Sequence, residues 1–314
     1  MLTVTAEAVR EALDFPSTIV ALEEMLRTGC EMPVRHHHTV DVPGAPAATL
    51  LLMPAWSSGA YLGVKIVNVF PGNADAGIPA VIGMYLLFSA KDGSLLATID
   101  GGELTARRTA AASALAARYL AREDASRLLI VGTGRLAGNL AAAHAAVRPI
   151  KNFVVWGRNL DKASGIAKTL ASSGLKVSAT DDLASAVGDA DIVSCATLAN
   201  EPLIKGEWLR PGTHLDLIGG FTPTMREADD AAIRRATVIV DTRAGAMKEA
   251  GDIVVPLANG TLKPEDVKAD LYDLTRGHHP GRTSSDEITL FKSVGVALED
   301  LAAAALIYRK KTGG

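Results

Sequence analysis

The sequence predicts an α/β fold built around a doubly wound parallel sheet, with a second domain formed largely by short strands. Two observations lead to this prediction. An apolar run at 128–131 ends in Gly-x-Gly-x-x-Ala and passes into an alanine-rich helix, and further strands and helices alternate after it. The 314 residues are enough for two domains with buried cores.

The first third of the chain changes from helical to strand-like patterning. Residues 6–28 carry an imperfect apolar helical stripe, which we expect to be interrupted at Pro16. Short strand-like runs follow, separated by turn residues, and the segment AKDGS at 90–94 predicts a hairpin. The predicted strands are 49–56, 61–70, 80–90 and 94–100, and a helix is predicted over 103–121.

The middle of the chain alternates apolar strands with helical stretches, which is typical of a parallel sheet with helices on both faces. The chain ends in an apolar helix over 295–311, which we expect to fold back onto the first domain. The predicted strands of this region are 128–132, 153–157, 176–180, 191–197, 214–220 and 237–241.

The glycine motif gives the first functional prediction. Gly132 permits a tight turn, Gly134 lets the backbone approach a pyrophosphate, and Ala137 is small enough for the helix to pack on the strand. Thr133, Arg135 and Leu136 complete the turn. Because a strand precedes the motif and a helix follows it, the segment predicts a dinucleotide site.

The end of the next strand indicates which dinucleotide binds. An acidic residue that grips the adenosine ribose of NAD is expected there, but Gly157 occupies the position and Arg158 and Asn159 follow. A guanidinium can hold a 2′-phosphate by two hydrogen bonds. The alternative is an arginine in a solvated loop. We predict NADPH as the cofactor, with NADH bound more weakly.

Three further residues end predicted strands at the edge where open α/β sheets bind ligands. Thr197 follows one strand, Asp216 lies near the end of the next, and Ser293 precedes the terminal helix. A small residue at position 293 would let the nicotinamide ring approach the backbone.

Basic residues in unusual places are candidate ligands for an anion. Lys65 lies inside an apolar strand, on the same predicted face as Gly63, and a buried lysine needs an anionic partner or loses its proton. Alternatively, it reaches solvent from an edge strand. Arg108 lies in the first turn of the alanine-rich helix, where a cation is unfavourable, so we expect a bound carboxylate to compensate. Arg35 follows a rigid connector.

Composition argues against several classes of function. The net charge of −3 includes no basic block, so no nucleic acid is expected as a partner. The two cysteines are far apart, the N-terminus does not resemble a signal peptide, and no apolar run reaches membrane-spanning length; we expect a cytoplasmic protein. His36–His38 are adjacent, so neighbouring side chains point to opposite faces, and no metal site is expected there or at His278 and His279.

Several separated motifs together resemble the ornithine cyclodeaminase/mu-crystallin family over nearly the full chain. They are MPVR, GVKIVNVFPGN, ELTARRTAAASALAA, VGTGRLA and SSDEITLFKSVGVALEDLAAA. The resemblance implies a homodimer, and a Rossmann domain over 122–294. It also implies a discontinuous α+β domain for substrate binding and dimerisation, formed by 1–121 and 295–314.

Residue roles carry over from this resemblance. It implies that Arg35, Lys65 and Arg108 surround a substrate carboxylate on the nicotinamide side, and that Lys65 either holds the carboxylate or donates a proton. It assigns the binding of the nucleotide to the glycine turn, to Arg158 and Thr197, and to Ser293. It also assigns this role to the strand end Asp216–Gly219, in particular to Asp216, Ile218 and Gly219.

Two departures from the cyclodeaminases indicate the reaction. Where those enzymes have an aspartate after the paired glycines, this chain has Phe221, and Ala80 stands where they have a threonine. The pattern is closest to bacterial Δ1-pyrroline-2-carboxylate (ketimine) reductases. It implies hydride addition to a cyclic imine carboxylate, with Phe221 against the ring. The alternatives are an ornithine cyclodeaminase, an alanine-dehydrogenase-like enzyme, and a non-catalytic mu-crystallin-like protein that binds NADPH and a ligand.

Overall fold

The computed structural model describes residues 1–313 and divides them into two compact units. Unit 1 contains 1–108 and the chain from Ala297 onward, and unit 2 contains 109–296. The boundary predicted at 121 lies farther along the chain than the one observed at Arg108. The helices are α1 (Ala6–Ala12), α2 (Phe15–Thr28), α3 (Gly101–Leu120), α4 (Ala137–Ala145), α5 (Leu160–Ala171), α6 (Leu183–Asp189), α7 (Asp230–Arg235), α8 (Arg243–Glu249), α9 (Gly251–Ala258), α10 (Leu271–Thr275) and α11 (Ala297–Thr312).

The strands form one sheet in each unit. They are β1 (Leu2–Val4), β2 (His36–Val40), β3 (Ala48–Ser57), β4 (Tyr61–Val69), β5 (Val81–Ser89), β6 (Leu95–Asp100), β7 (Arg127–Val131), β8 (Asn152–Trp156), β9 (Val177–Thr180), β10 (Ile192–Cys195), β11 (His214–Leu217), β12 (Thr237–Val240), β13 (Val267–Asp270) and β14 (Thr289–Lys292). Short 3₁₀ turns occur at Pro71–Ala76, Gly206–Trp208 and Pro264–Asp266.

Unit 1 is a six-stranded sheet with helices on one face. The strand order is β1-β6-β5-β4-β3-β2, in which only β1 and β6 pair in parallel. The predicted hairpin joins β5 to β6, with Gly93 at φ +75°. Helix α11 packs on β3, β4 and β5.

The N-terminal helix is divided earlier than the sequence predicted. The break lies at Leu13 and Asp14, and the Asp14 carboxylate accepts a hydrogen bond from Ser17 N–H to cap α2. Pro16 therefore lies in the first turn of α2, where its missing N–H costs no helical hydrogen bond. The predicted interruption at Pro16 is wrong for this reason.

The second face of the unit 1 sheet is apolar and open. The cross-strand register places Leu52, Ile66 and Met84 in one row on this face. Ile82 and Met84 are each 50% exposed, which is high for large apolar side chains.

Unit 2 is the predicted doubly wound α/β domain. Its eight strands are all parallel, in the order β13-β12-β14-β11-β10-β7-β8-β9. The order reverses between β7 and β10, and ligands of such sheets bind at the carboxyl edge of that switch point. The sequence-based fold prediction is therefore confirmed. Along the described residues, no helix is both long and apolar enough to cross a bilayer.

Candidate functional site

The glycine turn after β7 has the geometry that a dinucleotide requires. Gly132 adopts φ +125°, and a Cβ there would lie 2.7 Å from the carbonyl oxygen of Ala196, so only glycine fits. A Cβ at Gly134 would meet nothing within 4 Å, which leaves room for a ligand close to the backbone. Ala137 begins α4 and is buried, while Leu136 at the N-cap gives the helix no side-chain cap. The N-terminus of α4, where the helix dipole favours an anion, therefore lies directly beside this turn.

A cavity of about 710 Å³ opens beside this turn in unit 2. It joins the glycine turn after β7 to the ends of β8 and β10, and so follows the carboxyl edge of the sheet. Most of the predicted cofactor-binding residues that are not buried line this cavity. Its lining residues include Gly132, Thr133, Gly134, Trp156, Gly157, Arg158, Asn159, Lys162, Thr197 and Asn200.

Gly157, which stands where an acidic residue is expected after β8, packs against the glycine turn. A Cβ at Gly157 would lie 2.5 Å from Thr133 Cγ2, so a larger residue here requires the Thr133 side chain to move. Arg158 is exposed at the cavity, whereas the Asn159 side chain caps α5 by accepting from Lys162 N–H at 2.9 Å. Sequence reasoning missed Lys162, which adds a second cation four residues after Arg158.

The strand end at Asp216 is buried rather than open. The Asp216 carboxylate is fully buried; it accepts hydrogen bonds from Ser113 Oγ at 3.1 Å and Ser194 Oγ at 2.6 Å, and lies 3.4 Å from His144 Nε2. This carboxylate therefore connects α3, β10 and α4 inside unit 2, and it does not line the cavity. Ile218 and Ser293 are also buried, and Gly219 packs against the Thr197 backbone too closely for any side chain.

Unit 1 contains a buried cluster of charges around Lys65. Lys65 lies on the inner face of β4 and is 3% exposed, with its Nζ 2.7 Å from Asp300 Oδ2. Arg108 donates from Nε to Asp300 Oδ1 at 2.9 Å and from Nη1 to Glu299 Oε2 at 2.6 Å. Helix α3 begins at Gly101, so the predicted place of Arg108 in the first helical turn is wrong, and two carboxylates of the chain itself compensate its charge. The alternative of a lysine that reaches solvent is wrong, because β4 is an inner strand and its lysine faces the helix-covered side.

The cluster lowers the pKa of both Lys65 and Asp300. Burial and the Arg108 cation lower the pKa of Lys65 to about 8, although Asp300 opposes this change; the Arg35 cation lowers it further, which places Arg35 within electrostatic reach. Burial favours the neutral form of Asp300, but the Arg108 and Lys65 cations outweigh it and lower the pKa of this carboxyl. The structure thus brings Lys65 and Arg108 together, with Arg35 within electrostatic reach of Lys65.

Sequence reasoning missed both acidic members of the cluster. Glu299 and Asp300 lie in the first turn of α11 and are fully buried. Two consecutive carboxylates inside an otherwise apolar helix were a signal that each must find a buried cation. The Glu299 and Asp300 carboxylates therefore hold the Lys65 and Arg108 cations in place inside unit 1.

Phe221 and the histidines do not belong to the charge cluster of unit 1. Phe221 follows Gly220 on a loop of unit 2 and is 44% exposed, so its ring is accessible to a ligand. His36–His38 lie in β2 and are exposed; His36 and His38 share one face and His37 takes the other. Among the side chains that the structure describes, no group of histidine, cysteine or acidic residues has the geometry to hold a metal ion.

Known proteins resemble this chain across both of its units. Residues 2–314 match the ornithine cyclodeaminase/mu-crystallin family. The chain belongs to this family. The Δ1-pyrroline-2-carboxylate reductase of Paracoccus denitrificans is 44% identical over 291 residues, which cover 92% of each chain.

Solved structures of relatives match the whole chain. The Δ1-pyrroline-2-carboxylate reductase of Thermococcus litoralis, in complex with NADH and L-proline, superposes with a TM-score of 0.93 at 32% identity and covers 100% of this chain and 98% of its own. An archaeal alanine dehydrogenase dimer with bound NAD gives a TM-score of 0.90 at 30% identity and covers 100% and 96%. Unit 2 therefore has the fold of nicotinamide-binding relatives.

Proposed function

We propose that this protein reduces a cyclic ketimine carboxylate with NADPH, and less effectively with NADH. The substrate is Δ1-pyrroline-2-carboxylate, which gives L-proline, and Δ1-piperideine-2-carboxylate is a second substrate that gives L-pipecolate. The charge cluster of Lys65, Arg108, Glu299 and Asp300 is the observation that carries this proposal, and reductases of this specificity among the relatives support it.

The buried cations of the cluster suit a substrate with a carboxylate. Glu299 and Asp300 hold Arg108 through Nε and Nη1, which leaves Nη2 to donate to the carboxylate. Lys65 adds a second cation beside Arg108, and Arg35 lies within electrostatic reach of Lys65. A buried carboxylate binds only when cations and hydrogen-bond donors replace its hydration.

Reduction of the imine also needs one proton on nitrogen. A bound reduced nicotinamide supplies the hydride that adds to C2. Lys65 is suited to protonate the ring nitrogen, because a pKa of about 8 lets an ammonium both persist and release its proton near neutral pH. Asp300 fixes the position of Lys65 Nζ by its 2.7 Å ion pair.

Phe221 favours imine reduction over cyclodeamination. Release of ammonia and closure of a ring by a second amine call for a carboxylate near those amines, and a phenyl ring cannot provide it. The exposed ring of Phe221 instead offers an apolar contact to ring methylenes.

One set of assays separates the candidate activities. We expect NADPH oxidation with either cyclic imine, no ammonia release from L-ornithine, and no reductive amination of pyruvate. Robust conversion of ornithine to proline with ammonia release would contradict the proposal. Saturable NADPH binding without turnover of either imine would favour the ligand-carrier alternative.

Arg158 is expected to determine the preference for NADPH. Its replacement by alanine should weaken NADPH binding by about 1.5–3 kcal/mol, roughly 10- to 150-fold, while NADH binding changes little, because only NADPH carries the 2′-phosphate. Fluorescence titration with both cofactors measures the two effects. Lys168→Ala, on the later part of α5, is the matched control. Equal losses for both cofactors would show that Arg158 does not bind the phosphate.

We also propose that two copies of the chain associate through the open apolar face of the unit 1 sheet. The row Leu52, Ile66 and Met84 supplies an unpartnered apolar surface, and the archaeal alanine dehydrogenase relative is a dimer. Met84→Lys should convert a dimer into a monomer of 32.7 kDa in light scattering. Val20→Lys, at a 55% exposed apolar position on α2, should leave the mass unchanged. A Met84→Lys protein that stays dimeric would contradict this interface.

A further inference from the structure

Glu227 is a buried carboxylate that connects two loops of unit 2. Its Oε1 accepts hydrogen bonds from Thr197 N–H at 2.7 Å and from Thr197 Oγ1 at 2.8 Å. Its Oε2 accepts from Gly219 N–H at 2.7 Å and Gly220 N–H at 3.4 Å. The side chain is fully buried, so these donors take the place of its hydration.

These loops follow β10 and β11, beyond the last paired residues Cys195 and Leu217. The sheet no longer supplies partners there, and backbone N–H groups that leave a strand need new acceptors. Glu227 supplies them, and the close packing of Gly219 on the Thr197 backbone fixes the two loops against each other.

Glu227 is itself held by two other charged residues. Asp252 Oδ1 accepts from Glu227 N–H at 2.8 Å, and Asp252 Oδ2 lies 3.2 Å from Lys292 Nζ. Lys292 Nζ is also 3.8 Å from Glu227 Oε2, and all three side chains are fully buried. One ammonium is therefore shared by two carboxylates, at the end of β14 directly before Ser293.

We propose that Glu227 is a positioning residue for the cofactor: its ionised carboxylate holds the Thr197 and Gly219 loops in the arrangement that binds the nicotinamide half of the dinucleotide. Thr197 lines the cofactor cavity, and Glu227 acts on it through two of its four hydrogen bonds. This inference rests on the proposed function, since it requires that unit 2 binds a nicotinamide dinucleotide.

The arrangement makes cofactor affinity depend on pH. Burial raises the pKa of Glu227 to about 7; Lys292 opposes this rise, and Asp252 adds to it. Cys195 lies within electrostatic reach of Glu227, Asp252 and Lys292, and also of Asp216. A protonated Glu227 can no longer accept from both loops with full strength, so cofactor binding favours the ionised form. Affinity should then fall as the pH decreases through about 7.

Titration of NADH binding between pH 6 and pH 8 tests the proposal. NADH is the preferred probe because it lacks the 2′-phosphate, which itself titrates near pH 6. For the unmodified protein we expect the Kd to rise several-fold from pH 8 to pH 6. Glu227→Gln should raise the Kd about 10-fold at pH 8 and change it little at pH 6, where the native residue is already protonated. The KM for the imine, at saturating cofactor, should change much less than the Kd of NADH.

Glu207→Gln is the matched control, because it removes one exposed carboxylate of unit 2 that does not line the cavity. A Glu227→Gln protein with native affinity, or with an equal loss at every pH, would overturn the proposal. If that variant does not fold, a pH-independent Kd for the unmodified protein overturns it equally. Failure of the unmodified protein to bind NADH or NADPH at any pH would instead contradict the proposed function.

Discussion

Arg108→Ala is expected to reduce kcat/KM for Δ1-pyrroline-2-carboxylate roughly 30- to 5,000-fold, which corresponds to a loss of about 2–5 kcal/mol of transition-state stabilisation. The change removes the donor proposed for the substrate carboxylate. It also leaves Glu299 and Asp300 buried with one cation fewer. Steady-state kinetics with the cyclic imine measures the effect.

The same change should destabilise the fold, since an uncompensated buried carboxylate costs about 3–5 kcal/mol. The double variant Arg108→Ala/Glu299→Gln separates the two effects: we expect it to regain part of the lost stability without regaining activity. Arg107→Ala is the control on the same helix, because Arg107 donates to Leu13 O and contacts the Phe15 ring. If Arg108→Ala keeps the native catalytic efficiency, the assignment of the carboxylate site is wrong.

Lys65→Met is expected to lower kcat by about 10²- to 10⁴-fold if Lys65 donates the proton to the imine nitrogen. If Lys65 only holds the carboxylate, the loss appears mainly as a higher KM. Methionine has a similar length and an apolar character that suits the buried strand position. Lys91→Met, in the exposed β5–β6 turn, is the control for loss of a lysine in unit 1.

The pH profile checks the same residue without a mutation. The pKa of Lys65 is lowered to about 8, so the ammonium is present below that pH and lost above it. The kcat/KM of the native protein should therefore fall as the pH rises through about 8, and this fall should be absent from Lys65→Met. A native profile that stays flat from pH 7 to pH 10 would contradict a role for the Lys65 ammonium.

Local patterns in the sequence were sufficient for the fold class and for the cofactor turn. The glycine turn is determined by residues that lie next to each other: Gly132 alone fits its backbone angle, and the strand before it and helix after it are visible as periodicity. The face of the sheet on which Lys65 lies was predictable for the same reason, because side chains alternate between the two faces along a single strand.

The tertiary structure decided how each buried charge is compensated. Arg108 and Asp300 are 192 residues apart, and Glu227 meets Thr197 and Lys292 from three separate segments. The sequence indicates only that a charge within an apolar run needs a partner. Many residues of opposite charge could be that partner, and the topology of the chain determines which of them makes the contact. Asp216 shows the reverse case: it occupies a strand end where ligands bind, but packing of α3 and α4 on the sheet brings Ser113 and His144 to its carboxylate.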